Sequence, residues 1–119
     1  NEGEYLKSHE IQALAVELAE GLEESIHRKI RASWGFPDPA DLAPLDLFRA
    51  RYRGKRYSFG YPACPDLSCQ ESIWRLLQPQ EHLGVELTEG FMMDPEASVS
   101  ALAFHHPDAN YFGVGGREV

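Results

Sequence analysis

Ile11, Leu14, Ala15, Leu18, Leu22, Ile26 and Ile30 recur at steps of three and four residues, the period of one helical face. The pattern predicts a long amphipathic helix. It should stop near Trp34, because Gly35 can adopt the left-handed conformation just past a helix end and Pro37 cannot continue the ladder. "FPDPADLAP" is a turn-rich connector, and Pro44 suits the first turn of a second, short helix that ends before Gly54. Ser68 and Glu71 have the spacing of a capping box, which predicts a third helix through Leu77. Pro79 breaks it, and "PQEHLG" adds one more turn. From Val85 the texture changes. "VELTEGFMM", "SVSALAFHH" and "NYFGVGG" alternate partially and read as strands, with "HPDAN" as the tight turn of a hairpin and "GVGG" as a strand end. Helices first and strands later imply an α+β fold: a long N-terminal amphipathic helix and short helices packed on a small antiparallel sheet.

The chain has 119 residues, enough for one domain spanning 1–119 with a single core. Its 43% hydrophobic and 25% charged residues are ordinary for a globular protein. A formal net charge of −8 argues against nucleic acid as a partner, since phosphates need clustered Lys and Arg. Basic residues do gather at His27 to Arg31 and at Arg49 to Arg56, where one anionic group could be held. No apolar run approaches the roughly 18 residues of a membrane span, and no signal-peptide pattern opens the chain. Two cysteines without secretory context point to a cytoplasmic protein. The chain opens without Met and with helical periodicity already under way, so a fragment of a longer protein is expected.

The polar stripe of the long helix carries Glu17, Glu20, Glu24, His27 and Arg31. Such a stripe is ordinarily a solvated face. Glu20 and Glu24, however, are like charges one turn apart, which mildly destabilises a bare helix and points to a cationic partner or ligand. Cys64 and Cys69 lack the second close pair that tetrahedral zinc needs, and their spacing does not suit a redox pair, so packing is the expected role and no metal is expected. "GVGG" has neither the spacing nor the following helix of a dinucleotide motif, and no nucleophile triad or HExxH is present.

What remains is "RYSFGYPACP". The pattern Arg-x-x-x-Gly-Tyr-Pro-Ala-Cys-Pro, standing as Arg56, Gly60, Tyr61, Pro62, Ala63, Cys64 and Pro65, resembles the activation domain of cobalamin-dependent methionine synthases. "LAEGLEESIH" looks like the family helix that contributes an acidic residue, which falls on Glu20. The run from "SIWRLLQPQEHLG" to "NYFGVG" is similar to the family's course up to its final aromatic pair, here Tyr111 and Phe112. The resemblance implies an S-adenosylmethionine site drawn from Glu20, Arg56, Ser58, Gly60, Tyr61, Tyr111 and Phe112, with Tyr61 toward the cobalamin side. It implies no catalytic acid or base.

The chemistry suits those residue types. A guanidinium grips a carboxylate through two hydrogen bonds, and a carboxylate offsets the cationic part of the ligand. Gly60 permits close backbone approach, Pro62 and Pro65 stiffen the loop, and aromatic rings cover an adenosyl group or sulfonium. Phe112 departs from the family's usual pair of tyrosines and loses a hydroxyl. The family domain is also roughly two to three times as long as this chain, and its N-terminal portion, which bears another acidic contact, has no counterpart here.

The implied function is reductive reactivation of oxidised cobalamin, with S-adenosylmethionine as methyl donor. The implied partners are a cobalamin-binding domain of the same enzyme and a flavodoxin-like or other flavoprotein electron donor. Two alternatives stay open: a docking module for those partners without appreciable S-adenosylmethionine binding, and a cysteine-based metal or redox protein.

Overall fold

The computed structural model describes residues 1–114. The fold is α+β. Helix α1 spans Glu2–Ser33, followed by α2 (Pro44–Phe48), strand β1 (Lys55–Ser58), a 3-10 turn (Leu67–Cys69), α3 (Gln70–Leu77), α4 (Pro79–Leu83), and strands β2 (Glu86–Leu87), β3 (Met93–Asp94) and β4 (Ala101–Phe104). Contacts divide the chain into two compact units: Asn1–Leu22 with Leu67–Val99, and Glu23–Asp66 with the segment from Ser100 on. Among the described residues no helix is long and apolar enough to cross a membrane.

Helix α1 ends as its sequence predicts. Gly35 has φ +94°, its N–H donates to Ala32 O at 3.1 Å, and Phe36 N–H reaches back to Arg31 O at 3.1 Å. These are the two bonds of a Schellman stop. The face of the helix is a correction, however. Ile11, Leu14, Leu18 and Leu22 are 58 to 66% exposed, while the buried residues of α1 are His27 and Arg31, both from the polar stripe. Charge-assisted hydrogen bonds, rather than apolar burial, fasten this end of the helix.

In the unit that contains β1, the core is small and aromatic. Tyr57 and Phe59 are each 8% exposed, two residues apart and therefore on one side of the extended chain. β1 pairs antiparallel with β4, with Arg56 opposite Ala103 and Tyr57 opposite Leu102. This differs from the expected hairpin. "HPDAN" does turn, through Ala109 N–H to His106 O at 3.1 Å, but β4 finds its partner in β1 instead of in "NYF". The glycines at 115 and 116 of "GVGG" lie outside the described residues. Gly54 makes the β1–β4 pairing possible. At φ +81°, a Cβ there would sit 2.2 Å from Phe104 O.

The other unit carries α3, α4 and a second two-stranded sheet, β2 with β3. "VELTEGFMM" is thus not one strand. It folds on itself at Thr88–Met92, where Thr88 N–H donates to Met92 O at 2.8 Å. The buried Gln70 Nε2 donates to Phe91 O at 2.8 Å, and Trp74 Nε1 donates to Val85 O at 2.9 Å, tying α3 to this hairpin. The cap of α3 is Cys69, with no side-chain cap bond, because the 3-10 turn takes up Ser68 and moves the helix start on by one residue.

Candidate functional site

Strand β1 alternates its side chains, so Arg56 and Ser58 share the face opposite Tyr57. Arg56 meets the last third of α1. Its Nη2 donates to Glu24 Oε2 at 2.7 Å, and its Nε lies 3.4 Å from Glu23 Oε2. Its Nη1 donates to the Tyr52 hydroxyl at 3.0 Å and lies 3.1 Å from His27 Nδ1. Burial opposes the charge on this guanidinium, but the Glu24 hydrogen bond and the nearby Tyr52, Glu23 and Glu24 oxygens overcome it and hold its pKa above the usual arginine value.

Because arginine can only donate, His27 Nδ1 must be the acceptor and Nε2 carries the proton. His27 is 3% exposed, and its pKa is lowered to about 4 by burial first, then by Arg31 and Arg56. Neutral histidine is the form that can accept from Arg56. Tyr52 stands edge-on to the imidazole at 5.2 Å between centroids, and its hydroxyl is pushed up to about 12, chiefly by burial. The opposite neighbour of Tyr52 is Arg31, whose guanidinium carbon lies 3.6 Å from the ring centroid. Arg31 also grips Asp38 through Nε–Oδ1 at 2.7 Å and Nη2–Oδ2 at 2.6 Å. The Arg31 hydrogen bond is the main cause that holds the Asp38 carboxyl below its usual range, against its burial. Asp38, Arg31, Tyr52, His27 and Arg56 therefore form one polar chain that immobilises Arg56.

Beyond β1 the chain turns back at once. Gly60, at φ +85°, donates its N–H to Cys64 O at 2.8 Å, and Cys64 N–H donates to Tyr61 O at 2.9 Å. Positive φ at this position is cheap only for glycine. The turn holds Tyr61 out at 61% exposure, while Cys64 is half-buried and Cys69 exposed. The last described segment runs alongside, with Val114 N–H donating to Pro62 O at 2.9 Å. Tyr57 anchors it. Its hydroxyl donates to Asn110 O at 2.7 Å, and its ring lies 5.6 Å from Tyr111 and 5.5 Å from Phe112. Tyr111 in turn donates its hydroxyl to Arg56 O at 3.2 Å. Tyr111 and Phe112 keep more than half their surface free, so aromatic faces stand available to a flat ligand.

The structure thus places Arg56, Ser58, Gly60 and Tyr61 on β1 and its following turn, with Arg56 and Ser58 on one face, while Tyr111 and Phe112, in the segment beside the strand, pack with Tyr57 on the other. Glu20 is exposed and belongs with the other unit, and the carboxylates that meet Arg56 are Glu23 and Glu24. The residues that sequence reading passed over are Glu23, His27 as a hydrogen-bond acceptor, Tyr52 and Tyr57. Of these only His27 had a visible signal, as a member, with Glu24, of the polar stripe on α1.

Residues 2–118 match the family described as vitamin B12 dependent methionine synthase, activation domain. Methionine synthase of Mycobacterium tuberculosis is 40% identical over 111 residues, and that of Mycobacterium leprae 42% over 111 residues. Each alignment covers 88% of this chain and 9% of the relative, so the chain spans less than a tenth of their length. A crystal structure of the MetH reactivation domain bound to AdoHcy superposes with TM-score 0.83 at 40% identity, covering 94% of this chain and 35% of that one.

Proposed function

Because the chain belongs to the vitamin B12-dependent methionine synthase activation-domain family, we propose that it binds S-adenosylmethionine and positions its methyl group for reductive methylation of cobalamin. The observation that supports this best is the guanidinium of Arg56, fixed on β1 by His27, Tyr52 and two carboxylates, with the glycine turn Gly60–Cys64 following in the same unit and Tyr111 bonded to the strand's backbone at Arg56 O. The solved relative with this fold holds AdoHcy, the product left when S-adenosylmethionine gives up its methyl.

In this reading Arg56 takes the ligand's carboxylate, with His27 and Tyr52 fixing the guanidinium plane. Glu23 and Glu24 supply the negative charge assigned by resemblance to Glu20. Tyr111 and Phe112 offer stacking faces to the adenosyl group, and Ser58 shares the strand face of Arg56. The exposed Tyr61 faces the side from which the cobalamin domain approaches. S-adenosylmethionine supplies an electrophilic methyl group on its sulfonium, destined for cobalamin held by another domain of the enzyme. The chain's contribution is orientation, since no side chain here has to move a proton in the transfer. A flavodoxin-like or other flavoprotein would supply the electron, and the setting would be the cytoplasm. The described chain serves as part of a multidomain methyltransferase and does not turn over alone.

Titration calorimetry with S-adenosylmethionine tests the reading. A charge-assisted bidentate pair contributes roughly 1.5–3 kcal/mol, so Arg56→Ala should weaken binding by about one to two orders of magnitude. Identical titrations of both proteins would remove Arg56 from the site. A second reading, a docking module with little affinity for S-adenosylmethionine, draws on the fact that Arg56 already has carboxylate partners. Absence of heat with the wild type, together with association with the cobalamin domain, would favour it.

A further inference from the structure

A guanidinium has five N–H donors, and Arg56 has committed most of its own. Nη1 faces the Tyr52 hydroxyl and His27 Nδ1, Nη2 is bonded to Glu24, and Nε is beside Glu23. A two-pronged grip on an incoming carboxylate uses Nη2 together with Nε or Nη1. Nη2 has one N–H for each edge and Glu24 holds one of them at 2.7 Å, so a carboxylate arriving on that edge takes the place of Glu24. Arg56 and Glu24 are within reach of a ligand, with side chains 18% and 24% exposed. The second oxygen of Glu24, Oε1, is buried without a hydrogen bond of good geometry among the described residues, and the Tyr52 hydroxyl stands beside this carboxylate.

We propose that Glu24 is a specificity-determining counter-ion that changes partners when an α-amino-acid headgroup binds. In the free protein Glu24 fills the fork of Arg56. In the complex the ligand's carboxylate takes Nη2, and the released Glu24 receives the ligand's ammonium. One internal ion pair is replaced by two, and no charge is left unpaired. A ligand with only a carboxylate would strand Glu24 in a half-buried place, and one with only an ammonium would have to compete with Arg56 for it. The headgroup's two charges therefore act together, and the site rejects adenosyl compounds that lack either. This inference rests on the reading of the site as one for S-adenosylmethionine.

The S-adenosylhomocysteine series isolates the effect, because it has no sulfonium charge. The compounds are S-adenosylhomocysteine itself, its deaminated and decarboxylated analogues, and 5′-propylthioadenosine, which lacks both charged groups, each titrated into the intact chain. Partner exchange predicts strong coupling. Removing either charged group should weaken binding about tenfold or more, and removing the second should add little. In Glu24→Gln the coupling should vanish, the deaminated acid should bind more tightly than to wild type, and the decarboxylated amine more weakly. Additive losses in wild type, or the same direction of change for both analogues in Glu24→Gln, would overturn the exchange even if Arg56→Ala still abolishes binding. The wild-type cycle alone decides the matter should the variant fail to fold. If no member of the series binds, the reading of the site falls and the exchange falls with it.

Discussion

Acidification should weaken the fold through one residue. His27 is 3% exposed and held neutral down to about pH 4, by burial first and then by Arg31 and Arg56, with Glu24 and Asp38 opposing. In the unfolded chain its imidazole titrates near the ordinary value of 6.5. The folded value is the depressed one, so between these limits the unfolded state binds more protons than the folded state. The stabilisation is complete above about pH 6.5 and is lost as pH falls toward 4. At about 1.36 kcal/mol per pH unit, the loss across that window approaches roughly 3 kcal/mol, a large part of the 5–15 kcal/mol typical of a domain. Asp38 acts in a different window. Its carboxyl is depressed below 3.8, so its contribution is lost only at still lower pH. Urea denaturation followed by tryptophan fluorescence, at pH steps from about 7.5 to about 4.5, gives stability at each pH. His27→Gln keeps an acceptor for Arg56 but cannot titrate, so the difference between the two curves isolates the imidazole. Wild type should lose about 2–3 kcal/mol relative to the variant by pH 4.5. Parallel curves would refute the reasoning, since they would mean that the ring takes a proton as easily folded as unfolded.

The remaining predictions concern stability and transfer. Asp38→Asn leaves Arg31, 1% exposed at its side chain, without its charge partner, and should cost on the order of 3 kcal/mol in denaturant unfolding. A loss under about 1 kcal/mol would show that the pair is not needed. Gly54→Ala pushes a Cβ to within 2.2 Å of Phe104 O at φ +81°, and should cost about 2 kcal/mol or more, read as a lowered melting temperature. Tyr61→Ala should leave S-adenosylmethionine affinity within about tenfold. In the full-length enzyme the same change should slow cobalamin methylation about a hundredfold through misplacement of the reacting partners, whereas Tyr61→Phe should change little. Reactivation rates that follow affinity one for one would reduce Tyr61 to a ligand contact.

Sequence alone settled what depends on near neighbours. The presence of α1 and its stop before Gly35 are set by helical period, a left-handed glycine and the proline that follows. Pro44 opens α2, and the break between α3 and α4 lies just before Pro79, for equally local reasons. The stretch after Arg56 reads only as a stiffened loop with Gly60 allowing close backbone approach; strand β1 before it, and the φ of +85° by which Gly60 closes onto Cys64, come from the structure. Tertiary structure decided the rest. Periodicity shows which residues share a face of α1 but not which face meets the chain, and the polar stripe is the one that His27 and Arg31 bury. Choosing Glu23 and Glu24 for Arg56 joins residues more than thirty positions apart, and the pairing of β1 with β4 reaches further still. Local propensity carries no term for such distant partners. They are selected by the free energy of satisfying a guanidinium and a strand edge that would otherwise be buried unpaired.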